Sequence, residues 1–210
     1  MTQSKKNVAS SLLKINAVKL SPEAPFTWAS GWHSPIYCDN RKTLSYPEVR
    51  RQIYEEFSSL IAEKYPEVEL IAGVATGAIA HGVLVAEHMN KPFIYVRSAP
   101  KSHGLTNQVE GFYQKGQKVV VIEDLVSTGS SSLNAVEALR DAGCEVLGMV
   151  AIFTYGFPQA AENFKNANVQ LDTLTDYGTM IEMAVEQDYV KENQLDTLKQ
   201  WRLQPETWGR

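Results

Sequence analysis

The chain has 210 residues, 44% apolar and 21% charged, with a formal net charge of −4. That balance suits one globular domain with a full core and at most a small appendage, and its acidity argues against a nonspecific nucleic-acid partner. Two cysteines, Cys38 and Cys144, in no metal-ligand spacing, and no apolar window near the roughly 20 residues of a membrane span exclude a disulfide scaffold and a membrane partner.

Residues 7–20 carry Val8, Leu12, Leu13, Ile15, Val18 and Leu20 and predict a short amphipathic helix, broken by SPEAP. FTWASGWHSPIYC, 26–38, alternates loosely around a glycine and reads as a strand, a turn and a second short strand, a small flap outside the main sheet. SYPEVRRQIYEEFSSLIAEKY is a helix whose buried stripe is Val49, Ile53, Phe57 and Ile61; Ser45 and Glu48 have capping-box spacing at its start, and Pro66 ends it.

ELIAGVA predicts a buried strand, ATGAIAHGVLVAEHM a helix, and FIYVR a second strand. SAPKSHGLTNQVEG has no apolar periodicity and reads as a long polar loop. QKVVVIED is a strand, SLNAVEALRDAG a helix closed by Gly143, and EVLGMVAIFTY a strand. The resulting β-α-β-loop-β-α-β order over 69–155 is that of a parallel sheet covered by helices, and two weaker helix-bearing units follow it.

The densest chemistry is in VVVIEDLVSTGSS, 119–131. Ligands of open parallel sheets bind at the carboxyl ends of the strands. With the strand ending at Glu123 and Asp124, both carboxylates would reach that crevice. The following small turn opens a helix, whose free N–H groups and dipole favour an anion. Acids beside an anion hole suit a phosphorylated sugar. A helix cap alone would account for the hydroxyls of Ser127, Thr128, Ser130 and Ser131, but adjacent carboxylates repel unless a ligand or metal shares them. GVATGAIA, 73–80, is a second small-residue strand-to-helix turn, where Thr76 and Gly77 would offer backbone donors, although close helix–sheet packing also demands small residues. Neither GxxxxGK[ST] nor GxGxxG occurs, which disfavours ATP and dinucleotides. In RSAPKSHG, Arg97, Lys101 and His103 suit an anion clamp that excludes water on closing.

These segments resemble a known family. VVVIEDLVSTGSS resembles the phosphoribosyl-pyrophosphate signature of the type I phosphoribosyltransferases; FTWASGWHSPIYCDNR and RSAPKSHG, in order and spacing, resemble the orotate-binding region and mobile loop of the orotate phosphoribosyltransferases. The resemblance covers about 20–190 of the chain. It implies an open, mostly parallel α/β sheet with helices on both faces and a small N-terminal hood. Residues 1–44 would form the N-terminal helix and hood, 45–190 the core with a mobile loop at 98–110, and 191–210 an extension without an assigned role.

By the same resemblance, Glu123 and Asp124 would hold the ribose hydroxyls, and Leu125, Val126, Ser127, Thr128, Gly129, Ser130 and Ser131 would complete the donor loop around the 5′-phosphate. Ala75, Thr76 and Gly77 would form the pyrophosphate turn, and Arg97, Lys101 and His103 the pyrophosphate clamp. Lys101, His103 and Asp124 would be the catalytic side chains. Ser127, Tyr37, Ile36 and Arg41 would meet orotate, with Arg41 inferred as the partner of its carboxylate. Mg²⁺ would arrive with the pyrophosphate donor, without direct protein ligands but with a water link to Asp124. A homodimer sharing the mobile loop, in the cytoplasm, is implied. Many members carry Lys where this chain has Ala29 and Thr76, and Arg near Gly156, where it has none. Two other readings are a phosphoribosyltransferase for another base, and a regulatory protein of this fold that senses phosphoribosyl pyrophosphate; the latter should show a basic face or an added DNA-binding module.

Overall fold

The computed structural model describes residues 2–28, 30–98 and 108–209. Helix α1 (Thr2–Lys14) leads into β1 (Val18–Leu20), β2 (Phe26–Thr27), β3 (His33–Ser34) and β4 (Ile36–Cys38). Then follow α2 (Pro47–Lys64), β5 (Leu70–Val74), α3 (Ile79–His88), β6 (Phe93–Val96), β7 (Val109–Glu110) and β8 (Lys118–Val126). The last elements are α4 (Ser130–Asp141), β9 (Glu145–Thr154), α5 (Pro158–Asn166), β10 (Leu171–Asp176), α6 (Tyr177–Glu186) and α7 (Leu195–Leu203). No helix among the described residues is long and apolar enough to cross a membrane.

The central sheet runs β10-β9-β8-β5-β6-β7, parallel except for β7. From β5 the chain steps to β6 on one side; from β8 it steps to β9 and β10 on the other. Right-handed crossovers in opposite directions put α3 on one face and α4 and α5 on the opposite face. Packing agrees: α2 contacts α3 and α1, α1 contacts α6, and α4 contacts α5. The reversal falls between β5 and β8, where open α/β sheets have their crevice.

Four elements depart from the sequence expectation, each for a local reason. The helix expected over 7–20 stops at Lys14; Asn16 takes φ 54°, and Val18–Leu20 pairs antiparallel with β4. Val18 and Leu20 are buried with Lys19 outside, a period of two rather than of 3.6. Helix α2 does not use a capping box. Ser45 closes a 3-10 turn over Asn40–Ser45, and Pro47 takes the first helical position, where its missing N–H costs nothing. The polar stretch 98–110 is not loop throughout, because Val109–Glu110 pairs with β6. Finally, β8 does not end at the two acids but runs to Val126.

The hood is pinned by aromatic side chains. Strands β2 and β3 form a hairpin, while β4 pairs with β1 instead. Trp201 on α7 is fully buried; its ring lies 5.6 Å from Trp28, 5.4 Å from Phe157 and 5.2 Å from Tyr177, and its indole N–H donates to the His33 carbonyl. Trp28 in turn donates its indole N–H to the Ile36 carbonyl. The C-terminal helix, part of the extension without an assigned role, thus locks the hood onto β9, through Tyr155 just past the strand end. Trp201→Ala should cost about 3–5 kcal/mol in urea unfolding through the cavity it leaves.

His81, on α3, is completely buried, and its Nε2 stands 3.2 Å from Thr43 Oγ1. The Thr43 hydroxyl hydrogen is committed to the Asn40 carbonyl at 2.5 Å, so Nε2 carries the hydrogen and donates to Thr43. Nδ1 is then a bare acceptor with no partner among the described residues. Burial pushes the His81 pKa down from 6.5 to about 4. Between those values the unfolded chain binds the extra proton. Stability from this residue is therefore complete above pH 6.5 and is lost as pH falls toward 4. From pH 7 to pH 4 the wild type should lose about 3 kcal/mol more unfolding free energy than His81→Gln, which keeps a neutral donor; a parallel fall in both proteins would contradict this.

Candidate functional site

The site follows from unequal strand lengths. Pairing of β8 with β5 ends at Ile122 opposite Gly73, while pairing with β9 continues to Val126 opposite Thr154. Glu123, Asp124, Leu125 and Val126 therefore project past β5 along one side. Beyond β5 the chain turns at 75–78 into α3, through a cis Ala75–Thr76 peptide. A cavity of about 230 Å³ lies between, lined by Ala75, Thr76, Gly77, Arg97, Glu123, Asp124 and Ser131, among others.

The two acids are not equivalent. Glu123 is 5% exposed; one carboxylate oxygen accepts from Ser132 Oγ at 2.8 Å and the other from the Asp124 backbone N–H at 2.9 Å. Glu123 thus braces the first turn of α4. Burial, and then the neighbouring Asp124 charge, raise its pKa well above the usual carboxylate range. Asp124 points toward the turn instead, where a Cβ on Gly77 would overlap its carboxylate. Burial raises its pKa too, opposed first by the hydrogen bond with the Glu123 side chain and then by the Arg41 charge.

The glycines of GVATGAIAHG, 73–82, divide between packing and site. A Cβ at Gly73 would lie 2.9 Å from the Ala78 carbonyl, and one at Gly82 would lie 2.6 Å from the Phe93 ring; both serve helix–sheet packing. Only Gly77 faces the acids.

After β8, Gly129 caps α4 at φ 85°, in the left-handed region that glycine tolerates. Ser127 and Thr128 are half-buried, and Ser130 and Ser131 are exposed at the helix start. The Thr128 carbonyl accepts from Asn163 Nδ2 on α5 at 2.9 Å, which fixes the turn from below. Of this run, only Ser131 reaches the cavity wall.

On the other flank, Arg97 joins Gln108 through a backbone N–H···O bond of 2.9 Å and lies 3.7 Å from the Glu110 carboxylate. Lys101 and His103 lie outside the described residues. In the hood, Ile36 is fully buried in the core, so its side chain faces packing rather than an open surface. Tyr37 is 43% exposed beside Phe26. Arg41 is exposed, donates to Asp39 at 2.7 Å, and is close enough to Asp124 for their charges to interact.

Cavity residues that the sequence did not single out are Val74, Ser98, Asn134 and Ala135. Asn134 stands three residues after Ser131, on the same face of α4, a spacing that the helix start made readable. Asn40, whose amide donates to the Asp124 carbonyl at 2.6 Å, carried no sequence signal because the bond spans 84 positions.

A model of the phosphoribosyl transferase domain matches residues 42–186. The chain is 58% identical over 204 residues to an orotate phosphoribosyltransferase of Porphyromonas gingivalis, covering 97% of each protein. It is 59% identical over 200 residues to that of Phocaeicola vulgatus, covering 95% of this chain and 94% of the relative. Among solved structures, orotate phosphoribosyltransferase from Aeropyrum pernix superposes with a TM-score of 0.76 at 28% identity, over 87% of this chain and 99% of that one. Unequal strands, a sheet reversal between β5 and β8, and kinship along nearly the full length all lead to one conclusion: the chain belongs to the orotate phosphoribosyltransferases of the phosphoribosyl transferase domain family.

Proposed function

We propose that this chain transfers the ribose 5-phosphate group of phosphoribosyl pyrophosphate to N1 of orotate, giving orotidine 5′-monophosphate and pyrophosphate. The observation that carries this reading is the single crevice in which Asp124, the Gly77 turn and the Ser131 end of α4 converge. It offers a cavity-facing acid for ribose hydroxyls, backbone N–H groups for phosphates on either side, and a hood above carrying Tyr37 and Arg41.

In this reading Asp124 accepts from the ribose hydroxyls, and Glu123 holds Asp124 and α4 in register. The turn at Thr76 and Gly77 binds pyrophosphate, and Ser127–Ser131 bind the 5′-phosphate at the helix start. As pyrophosphate leaves, C1′ gains oxocarbenium-like charge, and the ring nitrogen of the orotate anion attacks the opposite face. No covalent nucleophile is required. The protein positions the reactants and stabilises charge on the leaving group, with Arg97, Lys101 and His103 as the clamp. Tyr37 and Ser127 contact orotate, and Arg41 faces its carboxylate in place of the basic residues that this chain lacks.

Mg²⁺ fits the site as an ion carried by the donor. Among the described residues no cluster of three or more acidic, histidine or cysteine side chains forms a cage, whereas Asp124 supplies one carboxylate of the kind that Mg²⁺ meets through water. Its chemistry is neutralisation of pyrophosphate charge. The working unit is a homodimer in which the 98–110 loop of each copy serves the other's site.

With phosphoribosyl pyrophosphate and Mg²⁺ present, orotate's absorbance should fall on adding the protein, purine bases should give no turnover, and a chelator should stop the reaction. Turnover with a purine and none with orotate would transfer the assignment to another base.

A further inference from the structure

Asp124 is fixed by a ring of buried polar groups that the reaction itself does not require. Asn40, Thr43 and His81 are each no more than 1% exposed. From α3, His81 donates to Thr43, at 3.2 Å, and Thr43 donates to the Asn40 carbonyl at 2.5 Å. The Asn40 amide nitrogen donates to the Asp124 carbonyl at 2.6 Å, and its amide oxygen accepts from Cys38 Sγ at 3.3 Å. The Asp124 carboxylate then lies against Gly77, in the turn that opens α3, the helix bearing His81. The ring closes through three elements that are far apart in sequence: the hood's 3-10 turn, α3 and β8.

Apolar side chains would fill the same volume without fixing a direction. A buried hydrogen-bonded chain fixes one arrangement because its bonds are directional; here only His81 Nδ1 is left without a partner among the described residues. Asn40 is held at both ends of its amide, and so sets the backbone of Asp124 where β8 has lost its β5 neighbour.

We infer that Asn40, held in place by Thr43 and His81, is a positioning residue for Asp124 that keeps its carboxylate aimed at the ribose of the donor. The inference rests on the donor-binding reading of the crevice but not on the identity of the acceptor base. It also links the hood to the donor side, because the turn holding Asn40 follows Tyr37 and carries Arg41.

The test is donor affinity, measured by calorimetric titration of the full-length protein with phosphoribosyl pyrophosphate and Mg²⁺, alongside steady-state rates. Thr43→Val keeps the shape and loses the hydroxyl; it should weaken donor binding, and raise the donor KM, about tenfold, while the orotate KM stays within about twofold. Thr43→Ser restores the hydroxyl and should restore donor affinity. A merely structural role would lower Tm and the active fraction but leave donor affinity per folded molecule unchanged. Wild-type affinity in Thr43→Val, or equal impairment in Thr43→Ser, would overturn the inference. If Thr43→Val gives no folded protein, Asn40→Ala is read in the same way, and unchanged donor affinity there overturns it as well. A wild type that binds the donor yet ignores orotate would sink the proposed acceptor alone, and one that binds no donor would sink both readings.

Discussion

Strand β8 outlasts β5, and the chemistry of this molecule depends on that difference. Had both strands ended together at the Gly73–Ile122 pair, the acids at 123 and 124 would sit in a loop with no fixed direction. Instead β9 carries β8 four residues further, to Val126, so strand geometry aims consecutive side chains to opposite faces. One carboxylate goes inward to Ser132 and α4; the other goes to the turn before α3. The crevice is thus the space that the shorter strand leaves open, at the place where the sheet reverses direction.

This geometry resolves the electrostatic conflict of two adjacent acids. Two equivalent carboxylates would repel, and burial penalises the charged form of both. The fold separates their tasks. Glu123 is buried, accepts two hydrogen bonds and has its pKa raised by burial; Asp124 faces the cavity, where burial raises its pKa against the Glu123 hydrogen bond and the Arg41 charge. Burial disfavours full charge on both acids at once. The hood takes part as well, through Asn40 on the Asp124 carbonyl and through Trp201, which holds the hairpin from the other end of the chain.

Much of this was legible in the sequence because the signals were local. The parallel sheet followed from alternating apolar runs and helical stripes, the α4 start from STGSS, and Gly143, at φ 89°, from the helix end before it. What was not legible involved distant partners or competing periods. Val18 and Leu20 fit a helical stripe as well as a strand, and only pairing with β4 decides between them. Nothing in VVVIED says where its neighbour strand stops, so the sequence places the end of β8 two residues short and shows no partner for Glu123. Ile36 read as a pocket residue, yet the strand pairing that exposes Tyr37 turns Ile36 into the core. The ring through His81, Thr43 and Asn40 spans three separate elements and leaves no pattern in any of them.

The central claim is that Asp124 works from its seat against Gly77, and one substitution addresses it. Gly77 has no left-handed backbone that would bar alanine, so Gly77→Ala changes little except that its Cβ overlaps the Asp124 carboxylate. Titration of folded Gly77→Ala with phosphoribosyl pyrophosphate and Mg²⁺ should show donor affinity lowered by at least about tenfold. Wild-type affinity in that variant would contradict the account.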